Sequence, residues 1–196
     1  MAPELPELLV PDASAWREWL AEHHAQSRGV WLVLHKKGGD VTALAYPDAV
    51  EEALCFGWID GQLRTRDAGS SAIRFTPRTR TSRWSQANVA RVERLEAEGR
   101  MTPAGRAVVD AAKADGRWEM AYGGAATAEV PDDLAAAIAA VPEAQAMFDV
   151  LTSTNRFAIV YRITSVKRPE TRIRKIAEFV DMLARHETVY PQKRKL

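Results

Sequence analysis

The sequence predicts an α+β protein, with helices on a small antiparallel sheet in its N-terminal part and an all-helical C-terminal module. Three observations carry this reading. Short β-rich runs alternate with turn residues between positions 30 and 75, Val30-Trp31-Leu32-Val33-Leu34 and Ala72-Ile73-Arg74-Phe75 being the clearest. From Ser82 onward the apolar period is helical. Tyr122-Gly123-Gly124 through Val130 is aperiodic and rich in small residues, as linkers are. The expected organisation is an α+β domain over 1–120, a linker over 121–130, a helical module over 131–186 and a basic tail over 187–196.

Each element has a local reason. Leu8-Leu9-Val10-Pro11 reads as extended, and Asp12 or Ser14 caps a helix to about Ser27. Ala15, Trp16, Trp19, Leu20 and Ala21 give that helix one apolar side, and Gly29 closes it. Val30 to Leu34 is a strand buried on both faces. Lys37-Gly38-Gly39-Asp40 then turns the chain onto a short second strand, Val41 to Leu44. Pro47 opens a helix whose first turns hold Asp48, Glu51 and Glu52, where carboxylates favour the dipole. It carries Val50, Ala53 and Leu54 and ends near Gly57.

Trp58 to Arg64 alternates, with Ile59 and Leu63 on one side and Asp60, Gln62 and Arg64 on the other. Asp67-Ala68-Gly69-Ser70 is turn chemistry, so this run and Ala72 to Phe75 form an antiparallel hairpin. Trp84, Val89, Val92 and Leu95 define a helix stopped at Gly99. Thr102-Pro103 opens the next, with Ala107, Val108 and Ala111 inside and Gly116 after it. Beyond Pro131, helices are expected over Asp132–Ala140, Pro142–Leu151, about Asn155–Val166 and Glu170–Arg185. In the last of these, Ile173, Ile176, Val180 and Leu183 form the buried stripe, and Lys193-Arg194-Lys195 is a basic tail.

Composition narrows the function classes. Across 196 residues, 46% hydrophobic and 27% charged side chains exclude a wholly disordered chain. The single cysteine, Cys55, excludes an internal disulfide, and its apolar neighbours Leu54 and Phe56 suit an inert buried thiol. No Cys/His pair stands at zinc spacing, and no phosphate-cradling or nucleophile-elbow motif occurs, so no cofactor or metal is expected. His23 and His24 diverge by roughly 100° on a helix and cannot easily share a metal. No apolar run approaches the roughly 20 residues of a membrane span, so no membrane insertion is expected. The opening Met1-Ala2-Pro3-Glu4 is unlike a secretory signal, which makes the cytoplasm the expected location.

The net charge of +1 conceals segregation. Residues 1–60 hold 4 basic and 10 acidic side chains, whereas 61–100 hold 9 basic, all arginine, and 4 acidic. Residues 101–155 hold 3 and 8, and 156–176 hold 7 and 1. Such blocks make either a charge-paired body or a local anion site.

Candidate chemistry lies in both arginine-rich blocks. In the first, Trp58 and Trp84 would wall a cleft, Arg78 would bind a carboxylate or phosphate, and Asp60, Ser85 and Asn88 would add polar contacts. The competing reading makes both tryptophans core, pairs Asp60 with an arginine across the hairpin and lets Ser82 cap a helix. Both stay open at this level. In the second block, Arg168, Arg172 and Lys175 lie outside the apolar stripe at a helix N-terminus, where cations oppose the dipole and call for an acidic partner or an anion. Nucleic-acid binding there is opposed by a pI of about 7.9, below the value above 9 typical of such domains.

The strings Trp31-Leu32 with Lys36-Lys37, Tyr46-Pro47-Asp48 through Trp58-Ile59-Asp60-Gly61, Phe75-Thr76-Pro77-Arg78, and Ser82-x-Trp84-Ser85-x-x-Asn88 resemble the YdeI/OmpD-associated family. Gly99-x-Met101, Pro131-Asp132-Asp133-Leu134 and Lys167-Arg168-Pro169-Glu170-Thr171-Arg172 extend the resemblance over nearly the whole chain. One departure is Tyr161-Arg162, where many relatives carry a tryptophan. The resemblance implies bacteriocin protection, resistance to cationic antimicrobial peptides and association with an outer-membrane porin; it brings no catalytic residue set. Together these readings lead to a non-catalytic protein that binds a small anionic ligand or a protein partner. The alternatives are a small-molecule enzyme in the Trp/Asp/Arg cleft, with Asp60 as base, and nucleic-acid binding through 156–176.

Overall fold

A computed structural model describes residues 4–124, 128–166 and 168–193. Lys167, the linker residues 125–127 and the tail residues 194–196 lie outside the described residues. The chain divides into two compact units between Ala121 and Tyr122.

The first unit is α+β. Its elements are β1 (Glu7–Leu8), α1 (Ala13–His23), β2 (Val30–His35), α2 (Tyr46–Cys55), β3 (Trp58–Thr65), β4 (Ser70–Pro77), α3 (Gln86–Ala97) and α4 (Pro103–Ala114). The sheet is four-stranded in the order β1-β2-β4-β3. β2, β4 and β3 run antiparallel as the hairpin signals require, while the two-residue β1 adds one parallel pair at the edge.

Local chemistry explains most boundaries. Asp12 caps α1, its carboxylate accepting from the Ala15 amide at 3.0 Å. The helix stops at His23 rather than Ser27, and His23 and His24 each turn Nδ1 back to a carbonyl four residues earlier. α3 is capped by Ser85, three residues later than the Ser82 reading, while Ser82 instead accepts from the Thr79 amide. The expected strand at Val41 to Leu44 is absent: the Ala43 amide and the Thr42 hydroxyl donate to the carbonyls of Pro11 and Val10, so the segment is tied to the approach to α1 instead of pairing with β2.

The core lies between the sheet and its helices. Trp16, Leu20, Leu32, Leu34, Trp58, Phe75, Trp84, Val92 and Leu95 are all buried there. Trp16 sits edge-on to Trp58 and Phe75 at centroid distances of 6.3 and 5.7 Å, geometries that add to the burial of apolar area. Two buried indole N–H groups find carbonyls, Trp16 at Ala49 and Trp58 at His24. α4 approaches the end of α2 so closely that a Cβ at Gly105 would stand 2.2 Å from the Cys55 carbonyl oxygen. That oxygen also accepts from the Thr102 amide and hydroxyl, so only glycine fits at this crossing.

On the opposite face of the sheet, charge covers apolar side chains. Glu7 accepts from Arg64 and Arg66 at 2.6 and 3.2 Å, and the Arg64 guanidinium lies 4.3 Å over Trp31. The Arg64 bond, then that of Arg66, holds the Glu7 carboxyl below its ordinary range. Several arginines of the first basic block thus pair with acidic residues.

The second unit packs α5 (Asp132–Ala139), α6 (Pro142–Val150), α7 (Ser153–Thr164) and α8 (Pro169–Ala184) around Leu134, Ile138, Ile159, Ile163 and Leu183. The buried face of α8 is Ile176, Val180 and Leu183, but Ile173 is 69% exposed and does not belong to it. Counting back by helical steps from Leu183 reaches Val180, Ile176 and then position 172, so Arg172 occupies the inner phase and Ile173 turns outward. Part of the stretch expected as the basic tail is tied down. Buried Asn155 bonds the Tyr190 amide and carbonyl and the Gln192 side chain.

Candidate functional site

A one-residue irregularity in β3 builds the site. Its register with β4 passes from Asp60↔Phe75 to Leu63↔Ile73, three steps against two, so a bulge sits at Gly61-Gln62. Strict alternation places Leu63 opposite Asp60; the extra residue turns both onto the face that also bears Leu34, Ser71 and Ile73. Trp16, Trp58 and Phe75 fill one end of this face. At its other end a pocket of about 270 Å³ remains.

The pocket is apolar with one charged group. Leu34, Leu63 and Ile73 supply its apolar surface, and Leu63 is 63% exposed at the rim. Tyr46, the first residue of α2, donates its hydroxyl to Asp60 Oδ2 at 2.7 Å. This bond fixes one carboxylate oxygen and orients the other. His35 also lines the pocket, its ring held by an Nδ1 contact of 3.0 Å to the Thr42 carbonyl. A carbonyl only accepts, so Nδ1 carries a proton there. Among the described residues no group of three or more His, Cys, Asp or Glu is gathered to hold a metal.

Of the sequence candidates, only Asp60 reaches this pocket. Trp58 and Trp84 are 1% and 2% exposed and belong to the core. Trp58 packs on Trp16 and Trp19, whereas Trp84 packs on Trp118. Arg78 is buried, stacks 3.7 Å over Trp84 and donates to the Arg83 carbonyl. Ser85 caps α3 by accepting from the Asn88 backbone amide, and the Asn88 side-chain Oδ1 accepts from Arg91 at 2.9 Å. Arg78, Trp84, Ser85 and Asn88 thus lie together around the start of α3, and Asp60 lies apart from them at the pocket. Sequence reasoning missed Tyr46, His35 and Ser71, since no local signal ties them to Asp60.

The second candidate group is also separated by the fold. Arg172 grips Asp133 with two bonds of 2.6 and 2.8 Å and donates a third, at 2.9 Å, to the Ile163 carbonyl near the end of α7. Arg168 is exposed as the residue preceding α8, and Lys175 is half-buried. The Arg172 bond holds the Asp133 carboxyl below its ordinary value. A carboxyl depressed in the folded state contributes its full stability above its unfolded pKa, near ~4, and loses it as pH falls through the folded value. The helical unit is therefore expected to lose up to about 1 kcal/mol below pH ~4, the exposed pair being screened by water. Asp133→Asn should abolish this acid dependence, read from far-UV circular dichroism in urea at pH 3 and 6.

Two family models match the chain. One, described as a domain of unknown function (DUF8412), covers residues 8–108, just over half of the sequence. The chain belongs to the DUF8412 family. The pocket lies wholly within the DUF8412 match, as do Trp58, Arg78, Trp84, Ser85 and Asn88. The second model, OmdA, described as bacteriocin-protection, YdeI or OmpD-associated, matches residues 127–186 and so takes in α5 to α8. The C-terminal part is thus YdeI/OmpD-associated-like, and the motifs from Trp31 to Asn88 fall under DUF8412 instead. No curated protein and no solved structure matches the chain. Among the described residues no helix is long and apolar enough to cross a membrane.

Proposed function

We propose that this is a cytoplasmic, non-catalytic binding protein whose DUF8412 part holds a small ligand and whose role is resistance to bacteriocins or cationic antimicrobial peptides. The pocket carries the first half of this reading: a carboxylate oriented by Tyr46 stands beside the apolar side chains of Leu34, Leu63 and Ile73. Recognition sites combine an apolar enclosure with a few placed polar groups in this way. The match of residues 127–186 to the bacteriocin-protection family supports the second half. Burial of Trp58 and Trp84 favours binding in this pocket over chemistry in a tryptophan-walled cleft. The pairing of Arg172 with Asp133 likewise draws charge away from a nucleic-acid surface.

Deletion of the gene should lower the inhibitory concentration of a cationic peptide several-fold, and the wild-type chain should restore it. Leu63→Trp, at the exposed rim, should fold normally, cover the pocket and fail to restore resistance. Unchanged sensitivity on deletion would sink the resistance role. Full rescue by Leu63→Trp would detach that role from the pocket.

A further inference from the structure

We infer that the pocket of the N-terminal unit selects a small apolar amine in its cationic form, with Asp60 as the counter-ion. This rests on the reading of the pocket as a ligand site and adds the ligand's chemical class. Asp60 is the one carboxylate among the lining residues, and none of them is lysine or arginine. Tyr46 occupies Oδ2, which leaves Oδ1 to take a bond from a ligand. A primary ammonium offers three donors for that oxygen and carries the opposite charge.

The nearby cations are turned elsewhere. Arg64, next to Leu63 on β3, reaches over Trp31 to Glu7 on the other face of the sheet. Arg74, next to Ile73 on β4, pairs in register with Trp31 and shares that outer face. Lys36, next to His35, bonds the Asp67 carbonyl. Asp48, in the first turn of α2, offsets the positive end of the helix beside Tyr46. An anion would therefore meet Asp60 with no lysine or arginine among the lining residues to neutralise it. The apolar side chains of Leu34, Leu63 and Ile73 select for a hydrocarbon body, and about 270 Å³ limits it to a small one.

Benzylamine, benzyl alcohol and benzoate share one ring and differ in charge, so they separate these contributions. Each would be titrated into the whole chain while the amide resonances of Leu34, Gly61 and Ser71 are followed. Benzylamine should bind at least ten-fold tighter than benzyl alcohol, and benzoate more weakly than either. In Asp60→Asn, benzylamine should fall to the affinity of the alcohol, whose own affinity should not change. Should that variant fail to fold, added salt on the wild type serves instead, because it should shrink the preference for the amine and leave the alcohol unaffected. Equal affinities for amine and alcohol, or benzoate binding as tightly as benzylamine, would overturn the amine assignment and keep the pocket reading. If none of the three moves these resonances, the pocket reading falls and takes the assignment with it.

Discussion

Replacing Glu52 with glutamine is expected to lower the stability of the N-terminal unit by about 2 kcal/mol, less than a fully buried ion pair because both arginine partners are about a third exposed. Glu52 is 6% exposed on the inner side of α2 and accepts bonds of 2.6 Å from both Arg17 and Arg100. Glu51, one residue earlier, accepts from Arg94 and Arg100, and Glu98 joins the same group. Burial opposes the charge on Arg100, but its bonds to Glu52 and Glu98 outweigh that and lift its pKa above the ordinary arginine value. Glutamine keeps the shape, yet it sets an N–H group against guanidinium donors and takes from Arg17 its carboxylate beside the buried Cys55 thiol, while Arg100 keeps Glu51 and Glu98. Urea unfolding followed by tryptophan fluorescence reads the effect cleanly, because all six tryptophans lie at or before position 118. Glu98→Gln removes an exposed member of the same group and should cost far less. Equal losses from the two variants would show that burial is not what makes Glu52 matter.

This network explains why the near-zero net charge was ambiguous. Block counting detects the segregation but not the pairing, which joins Glu51 and Glu52 of α2 to Arg94 and Arg100 more than forty residues later. Features legible from the sequence are those decided within one turn of chain. Thr102-Pro103 starts a helix because the threonine caps it and proline tolerates its first turn. Asp12 does the same for α1. The hairpin of β3 and β4 follows from alternation and from Asp67-Ala68-Gly69-Ser70. Features set by distant partners were not legible. Val41 to Leu44 has strand-like composition, yet its hydrogen bonds go to Val10 and Pro11. The two-residue β1 is too short to show a period and exists by pairing with β2.

The site was legible in one residue. Asp60 is one of the polar contacts expected beside Trp58, and it does line the pocket. Its companions were hidden by the bulge, which breaks the count of two that assigns side chains to faces. Tyr46 comes from a helix start fourteen residues away, and its hydroxyl has no sequence signal pointing to Asp60. In the helical unit the error was one of phase: an isoleucine looks like core and an arginine like surface. Arg172 holds the inner position because Asp133 and the Ile163 carbonyl satisfy it there.

Trp58→Ala is expected to have the largest effect of any single change discussed, about 4 kcal/mol, within the 3–5 kcal/mol of fully buried aromatic truncations. The side chain is 1% exposed, meets Trp16 and Trp19 edge-on at 6.3 and 5.9 Å, and donates its indole N–H to the His24 carbonyl. Truncation opens a cavity at the centre of the aromatic cluster and leaves that carbonyl without its donor. Trp31, on the charged outer face and only partly buried, should cost about 1–2 kcal/mol when changed to alanine, mostly from lost packing under Arg64. The contrast decides between the two roles open for Trp58. A cleft wall would lose ligand affinity with little change in the urea midpoint, whereas a core residue moves the midpoint far more than Trp31 does. Trp58→Phe should recover roughly half of the loss, because a ring is restored but the N–H is not. Trp58 and Asp60 stand two residues apart on the same face of β3, one closing the core and the other opening the pocket. The predicted separation is therefore sharp: Trp58 sets stability, and Asp60 sets what is bound.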